Sequence, residues 1–157
     1  MDLDLDRMLQ TVRDGQWSVD DFDWSQPLAG ADRLTPRQRR EAGLSLLFTA
    51  GLERQAAKVF ALAAEFQDDP RAAAIYRLFE QDELRHAEAE VRLAARYGAT
   101  WRDLPRGARW MFRELERDFE RADRVSLYEL STATIVLFEL ALDSLLIPAL
   151  KASTDDP

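Results

Sequence analysis

The sequence predicts an all-α protein, a helical bundle of long antiparallel helices. Six glycines and six prolines punctuate the chain, and we expect these helix breakers to fall between the periodic apolar segments. No segment alternates apolar and polar residues as a half-buried strand does. Two long periodic segments, 36–66 and 70–97, are joined by a short link, and such a link favours antiparallel neighbours in a bundle.

The composition excludes several classes of protein. The 157 residues fit one domain and include no cysteine, so neither a disulfide framework nor a thiolate metal site is expected. The net charge of −8 argues against general nucleic-acid binding. The longest uncharged apolar run, 130–138, is shorter than the roughly 20 residues that cross a bilayer. The acidic start does not resemble a secretory signal, and we expect a cytoplasmic protein.

Residues 1–34 are predicted to form an N-terminal arm on a bundle that takes residues 35–157. The arm starts with an amphipathic helix that ends at Gly15. An aromatic and acidic loop with one short turn follows. Its two tryptophans, Trp17 and Trp24, are expected to anchor the arm, either on the bundle or on a partner protein.

Capping signals mark the starts of the two long helices. Thr35, Pro36 and Gln38 form a capping box with proline at the first helical position, and this helix is predicted to run to Phe66. An Asp-Pro pair opens the next helix, which is predicted over 70–97.

Two further helices are predicted. A polar helix covers about 105–121. The last helix begins near Ser126, where Ser126 and Glu129 form a second capping box. It runs through the most apolar part of the chain to about Ile147, and Pro148 kinks or ends it.

Glu53 is the first of three carboxylates of interest. Its neighbours at three- and four-residue spacing are small: Thr49, Ala50, Ala56 and Ala57. A carboxylate on such an apolar stripe is costly unless it is paired, protonated or bound to a metal. Glu53 is therefore either a metal ligand or the partner of an arginine, such as Arg54 of a neighbouring subunit.

The segment 82–86, Asp-Glu-Leu-Arg-His, places Glu83 and His86 three residues apart on one helix face. A carboxylate and an imidazole on one face can bind the same metal ion. His86 is the only histidine of the chain, and Glu80 and Glu90 flank the pair. The alternative is a solvated charged face that includes an incidental histidine.

Glu139 lies in the most apolar part of the chain, 134–142. Its neighbours on the same helix face include Ile135, Val136 and Leu142, so it is hard to explain as a surface residue. It is predicted either to bind a metal or to form a buried ion pair with an arginine of another helix.

Together these residues form most of a known ligand pattern. Dinuclear iron and manganese sites in four-helix bundles use a Glu from each of two helices and a Glu-x-x-His from each of the other two. The order here is Glu53, then Glu83 with His86, then Glu139, which matches three of the four helices. Carboxylate and imidazole ligands suit iron or manganese.

The segments 51–55 and 82–88 resemble the first helix pair of the ferritin-like di-iron carboxylate superfamily, and the resemblance extends over about 36–150. It implies a ferritin-like bundle that holds two iron ions, or iron and manganese. In such a site Glu53 and His86 are terminal ligands and Glu83 is a bridging ligand.

The resemblance also implies roles for three further residues, and Tyr76 is a separate candidate. Glu139 is the ligand from the third helix. Asp82 holds a ligand imidazole through its free N–H, and Arg85 supports the same region. Tyr76 is either a supporting or redox-active residue near the metals or a core tyrosine with a bonded hydroxyl.

A second Glu-x-x-His is missing from this pattern. Glu53 and Glu139 are each followed by Asp-Asp-Pro, and this repeat places the missing motif beyond Pro157. Three explanations are open. In the first, the chain is a fragment of a longer parent. In the second, two chains each supply Glu53, Glu83 and His86 to a shared site, as in two-helix encapsulated ferritins. In the third, the site is degenerate and the bundle is structural. The first two predict an exposed apolar surface and a homodimer.

The resemblance implies a protein that carries out O2-dependent oxidation of the oxygenase or oxidase type, with an electron donor and a small-molecule substrate as partners. The first alternative is a ferroxidase or iron-handling protein whose site is shared at a dimer interface. The second is a metal-free helical interaction module, which the charged helix face 113–121 favours.

Overall fold

The computed structural model describes residues 4–28 and 30–141, with side chains described as far as residue 133. Every regular element in these ranges is helical, which confirms the all-α prediction. The five α-helices are α1 (Leu5–Asp14), α2 (Pro36–Glu65), α3 (Pro70–Arg96), α4 (Arg106–Arg121) and α5 (Arg124–Ala141). Short 3-10 helices cover Val19–Asp21, Ala31–Arg33 and Trp101–Asp103. None of the described helices is both long and apolar enough to span a membrane.

The chain divides into two compact units, Met1–Glu120 and Arg121–Pro157. The first unit contains α1, α2, α3 and nearly all of α4, and the second contains α5. This division does not test the predicted boundary between arm and bundle at residue 34, which stays a prediction.

The long helices begin at the predicted caps. Gln38 donates its backbone N–H to Thr35 Oγ1, and the Gln38 side chain accepts the Thr35 N–H at 2.9 Å, so the capping box is confirmed. The Asp69 carboxylate accepts the Arg71 N–H at 2.8 Å at the start of α3. These side chains satisfy N–H groups that have no partner within the first turn.

The last described helix, α5, begins two residues earlier than predicted. Asp123 Oδ2 accepts the backbone N–H of Ser126 at 2.9 Å, so the predicted capping box at Ser126 is wrong. Asp123 directly precedes the helix, and its carboxylate binds an N–H of the first turn, as a capping residue does. The predicted end near Ile147 and Pro148 lies outside the described residues.

Packing between α2 and α3 is the most extensive contact between helices of the first unit. The buried positions of the two helices are rich in alanine: Ala50, Ala57, Ala63, Ala64, Ala87 and Ala94. Larger buried residues, Leu47 and Leu62 on α2 and Ile75 on α3, fill the remaining core. Because alanine side chains are short, the two backbones can approach closely and bring polar groups of facing helices together.

Two glycines lie inside α2, so the expectation that all helix breakers fall between helices is wrong. A Cβ atom on Gly43 would lie 2.7 Å from the Ala99 Cβ, and one on Gly51 would overlap the Phe112 ring. These glycines make room for neighbouring segments. The helix forms although glycine has a lower helix propensity than alanine.

The N-terminal arm runs along α3 over most of the length of that helix. Four polar contacts hold it, in the same order on both segments: Asp6 with Arg71, Trp17 with Asp82, Asp20 with Arg92, and the Gln26 carbonyl with Arg96. The arm and α3 therefore run in the same direction. The sequence predicts that the tryptophans anchor the arm either on the bundle or on a partner protein. Trp17 anchors it on α3.

Candidate metal centre

Three of the four predicted ligands converge between α2 and α3. Ligand atoms of Glu53, Glu83 and His86 all lie within 4.8 Å of one another. His86 Nδ1 lies 3.3 Å from Glu83 Oε2, and a hydrogen bond links the carboxyl groups of Glu83 and Glu53. The three-residue spacing places Glu83 and His86 on one face of α3, and the packing of α2 brings Glu53 to that face.

The cluster is partly buried. The Glu83 side chain is 16% exposed and the His86 side chain is 44% exposed. Glu53 is intermediate between buried and exposed. The cluster therefore has a protected side formed by the helix pair and an open side at the imidazole, through which an ion could enter.

Glu83 and His86 favour each other's charged forms. Burial raises the pKa of Glu83, but the hydrogen bonds with His86 and Glu53 outweigh it and hold this pKa below its ordinary value. The hydrogen bond to Glu83 raises the pKa of His86 above its ordinary value, although burial opposes it. In the metal-free cluster, a negatively charged Glu83 and a positively charged His86 therefore stabilise each other.

Glu90 is a further acidic group on the same helix face. It follows His86 by one turn, and its Oε2 atom is buried without a hydrogen-bond partner among the described residues. Burial raises the pKa of Glu90 to about 7, His86 lowers it and Glu83 raises it. The sequence shows Glu90 only as a flanking residue, although its seven-residue spacing from Glu83 is that of one helix face.

Asp82 and Arg85 join α3 to the N-terminal arm. Asp82 Oδ1 accepts the Trp17 indole N–H at 2.8 Å and a guanidinium N–H of Arg85 at 3.0 Å. Arg85 also donates to the Gln16 side chain. Asp82 makes no hydrogen bond to His86 in the described part of the chain, so its role in holding a ligand imidazole stays a prediction.

The ligand spacing resembles that of one superfamily, and comparison with known proteins can test this resemblance. No family model, curated protein or solved structure matches the chain. The ferritin-like assignment therefore stays a prediction that rests on Glu53, Glu83 and His86.

Tyr76 is not brought to the cluster by any described contact. The Tyr76 ring stacks on Phe60, with ring centroids 6.2 Å apart, and meets Phe79 edge-on at 6.4 Å. This aromatic group extends the core between α2 and α3. Glu139 belongs to α5, but its side chain lies outside the described residues, so its role as a ligand stays a prediction.

Proposed function

We propose that the chain is a ferritin-like metal-carboxylate protein that carries out O2-dependent oxidation. Glu53, Glu83 and His86 would hold two iron ions, or iron and manganese, with Glu139 as a further ligand. The observation that carries the proposal is the convergence of two carboxyl groups and one imidazole within 4.8 Å. We also propose that α2 and α3 are antiparallel, as in a ferritin-like bundle.

The chemistry of the described residues fits such metal ions. The carboxyl groups of Glu53 and Glu83 lie so close together that they repel each other when both are charged. A divalent cation removes this repulsion, and a neutral His86 then offers a nitrogen ligand. The buried Glu90 Oε2 atom, which no described residue hydrogen-bonds, is an additional acceptor on the same helix face. When bound, iron or manganese supplies the redox chemistry that reduces O2.

The residues around the ligands orient them and limit the access of water. The hydrogen bonds of Asp82 with Trp17 and Arg85 hold the turn of α3 that carries Glu83. The Trp17 ring lies 5.5 Å from the His86 ring and covers part of the imidazole. The arm therefore shields the more exposed ligand while the helix pair encloses the carboxyl groups.

Iron binding and O2 consumption test the proposal. Metal-free protein is loaded with Fe(II) without oxygen, passed through a desalting column and analysed for iron. We expect the wild type to retain iron and then consume O2 in air, and Glu53→Gln to lose both properties. Glu41→Gln is the matched control, because it removes a surface carboxylate of the same helix that pairs with Arg37. If wild type and Glu53→Gln retained the same amount of iron, the proposal would be contradicted. If neither protein retained any iron, the metal-free module would be favoured.

A shared site at a dimer interface is the second candidate, with ferroxidase or iron-handling activity. The three residues that converge are the same three that each chain would supply to such a site. Glu139→Gln separates the candidates, because a site within one chain should lose metal affinity, whereas a shared site should keep it. Light scattering then shows whether the metal-loaded protein is a dimer with one metal pair for two chains.

A further inference from the structure

A groove of about 1150 Å³ lies between α2, α3 and α4 in the first unit. Its volume is slightly above the roughly 300–1,000 Å³ of typical small-molecule sites. From α3, Glu80 and Leu84 line the groove, whereas Asp82 and Arg85 form hydrogen bonds with the arm. Since successive helical residues are about 100° apart, the groove and the arm lie on different flanks of Glu83.

The groove is basic although the protein is acidic. Its lining includes five basic and two acidic side chains, whereas the chain has a net charge of −8. Both acidic side chains already have partners, since Glu80 pairs with Arg77 at 3.1 Å and Glu116 pairs with Lys58. The other basic lining residues have no acidic partner among the described residues: Arg54, Arg106, Arg109 and Arg113.

The arginines of α4 share one helix face. Arg106, Arg109 and Arg113 are three and four residues apart, and none forms an ion pair with any described residue. The Arg54 guanidinium lies 4.9 Å from the centre of the Trp101 ring instead of beside a carboxylate. Guanidinium groups bind carboxylates through two parallel hydrogen bonds, so these side chains suit an acidic head group.

Apolar surface adjoins these charges. Trp110 is 59% exposed and Leu84 is 49% exposed, and both line the groove. The rings of Trp101 and Phe112 also line the groove, and their planes are at right angles to each other. A concave surface with exposed rings and a few converging charges is typical of a small-molecule site.

We propose that this groove binds a small organic acid with an apolar aromatic or alkyl body. The body packs against Trp110 and Leu84, and the carboxylate pairs with Arg109 and Arg113. A small anion matches the groove better than a nucleic acid does, because the net charge of −8 repels a long polyanion outside the groove. The binding is independent of the metal centre.

Calorimetric titration of the metal-free protein tests this site with 2-naphthoate as the probe. The neutral 2-naphthamide keeps the rings and lacks the charge, and acetate keeps the charge and lacks the rings. We expect naphthoate to bind about tenfold more tightly than either control compound. Raising the salt concentration should weaken naphthoate binding and leave naphthamide binding unchanged.

Variants identify the groove as the binding site. The double variant Arg109→Gln/Arg113→Gln should lower naphthoate affinity about tenfold, to the level of naphthamide. Arg39→Gln, at an exposed arginine outside the groove, is the matched control and should bind as the wild type does. Trp110→Ala, at a side chain that is 59% exposed, should weaken the binding of both compounds.

Three results would overturn the proposal: no naphthoate binding, equal affinities for naphthoate and naphthamide, or unchanged binding by the folded arginine double variant. Circular dichroism establishes that the variants are folded. A fourth result would assign the groove to a second copy of this chain: a wild-type dimer that the arginine double variant converts to monomer, measured by light scattering. Loss of iron binding in the experiments above would leave this test unaffected.

Discussion

The indole N–H of Trp17 donates to Asp82 Oδ1 at 2.8 Å, across 65 positions of the sequence. The same Asp82 oxygen accepts from Arg85, whose guanidinium carbon lies 5.8 Å from the centre of the Trp17 ring. Asp82 immediately precedes Glu83, and Arg85 immediately precedes His86. The arm is therefore joined to α3 at the helical turn that carries the candidate ligands.

Trp17→Phe should weaken both the fold and the metal centre. The phenyl ring retains most of the packing, but the loss of the N–H donor should lower the free energy of unfolding by about 1 kcal/mol. Because the turn that carries Glu83 is then less well held, Mn(II) affinity should fall about tenfold. Urea denaturation and calorimetric metal titration measure the two effects.

Trp24→Phe is the control for that prediction. It removes an indole hydrogen bond to the Val19 carbonyl, which lies within the arm. We expect a similar loss of stability and an unchanged Mn(II) affinity. If both variants lowered the metal affinity equally, the specific role of the Trp17 bond would be disproved.

Metal binding should stabilise the fold through His86. At a free Mn(II) concentration of a hundred times the dissociation constant, the free energy of unfolding should rise by about 2.7 kcal/mol. His86→Ala should fold, since this side chain is 44% exposed, and should lose most of the gain. Glu88→Gln, at an exposed side chain of the same helix, should keep it. Scanning calorimetry with and without Mn(II) measures the gain, and a full gain in His86→Ala would exclude this imidazole as a ligand.

The metal-free protein should lose stability as the pH rises from about 4.5 to about 8. The pKa of Glu90 is raised from 4.5 to about 7, so the folded state binds this proton more tightly than the unfolded state does. Stability from this group is complete below the unfolded pKa and is lost as the pH rises through the folded pKa. The raised pKa of His86 has the same sign and acts above about pH 6.5.

Glu90→Gln should remove the larger part of this pH dependence. The neutral amide resembles the protonated carboxyl, so the variant should match the wild type in acid and exceed its stability at about pH 8. Glu88→Gln, on the exposed side of the same helix, should leave the pH dependence as it is. Urea denaturation across this pH range is the measurement, and parallel curves for wild type and Glu90→Gln would contradict the prediction.

Gly51→Ala should destabilise the first unit by about 1–3 kcal/mol, because the added methyl group overlaps the Phe112 ring. Gly107→Ala is the control, since nothing lies within 4 Å of a Cβ at that helical position. This control should gain up to about 1 kcal/mol from the higher helix propensity of alanine. Replacing Phe112 by Leu in the Gly51→Ala background should recover part of the loss, as measured by urea denaturation.

The candidate site shows which parts of the structure local sequence can predict. The convergence of Glu83 and His86 follows from their three-residue spacing, and the apolar stripe around Glu53 indicates that this residue faces a neighbouring helix. The burial of Glu90 beside these residues depends on which part of α3 other segments pack against, and the sequence near Glu90 does not show this. The groove arginines are scattered over two helices, so no short motif marks them.

Local signals by themselves determined the helical class and the starts of α2 and α3. Capping residues such as Thr35 and Asp69 act on N–H groups of the adjacent turn, so their effect is visible within a few residues. At α5 two acceptable caps lie close together, and only the structure distinguished Asp123 from Ser126. Tertiary structure alone decided that Trp17 binds Asp82 and that Phe112 packs against Gly51. These contacts join distant segments, and their energy depends on shape and hydrogen-bond partners that exist only once the helices have packed.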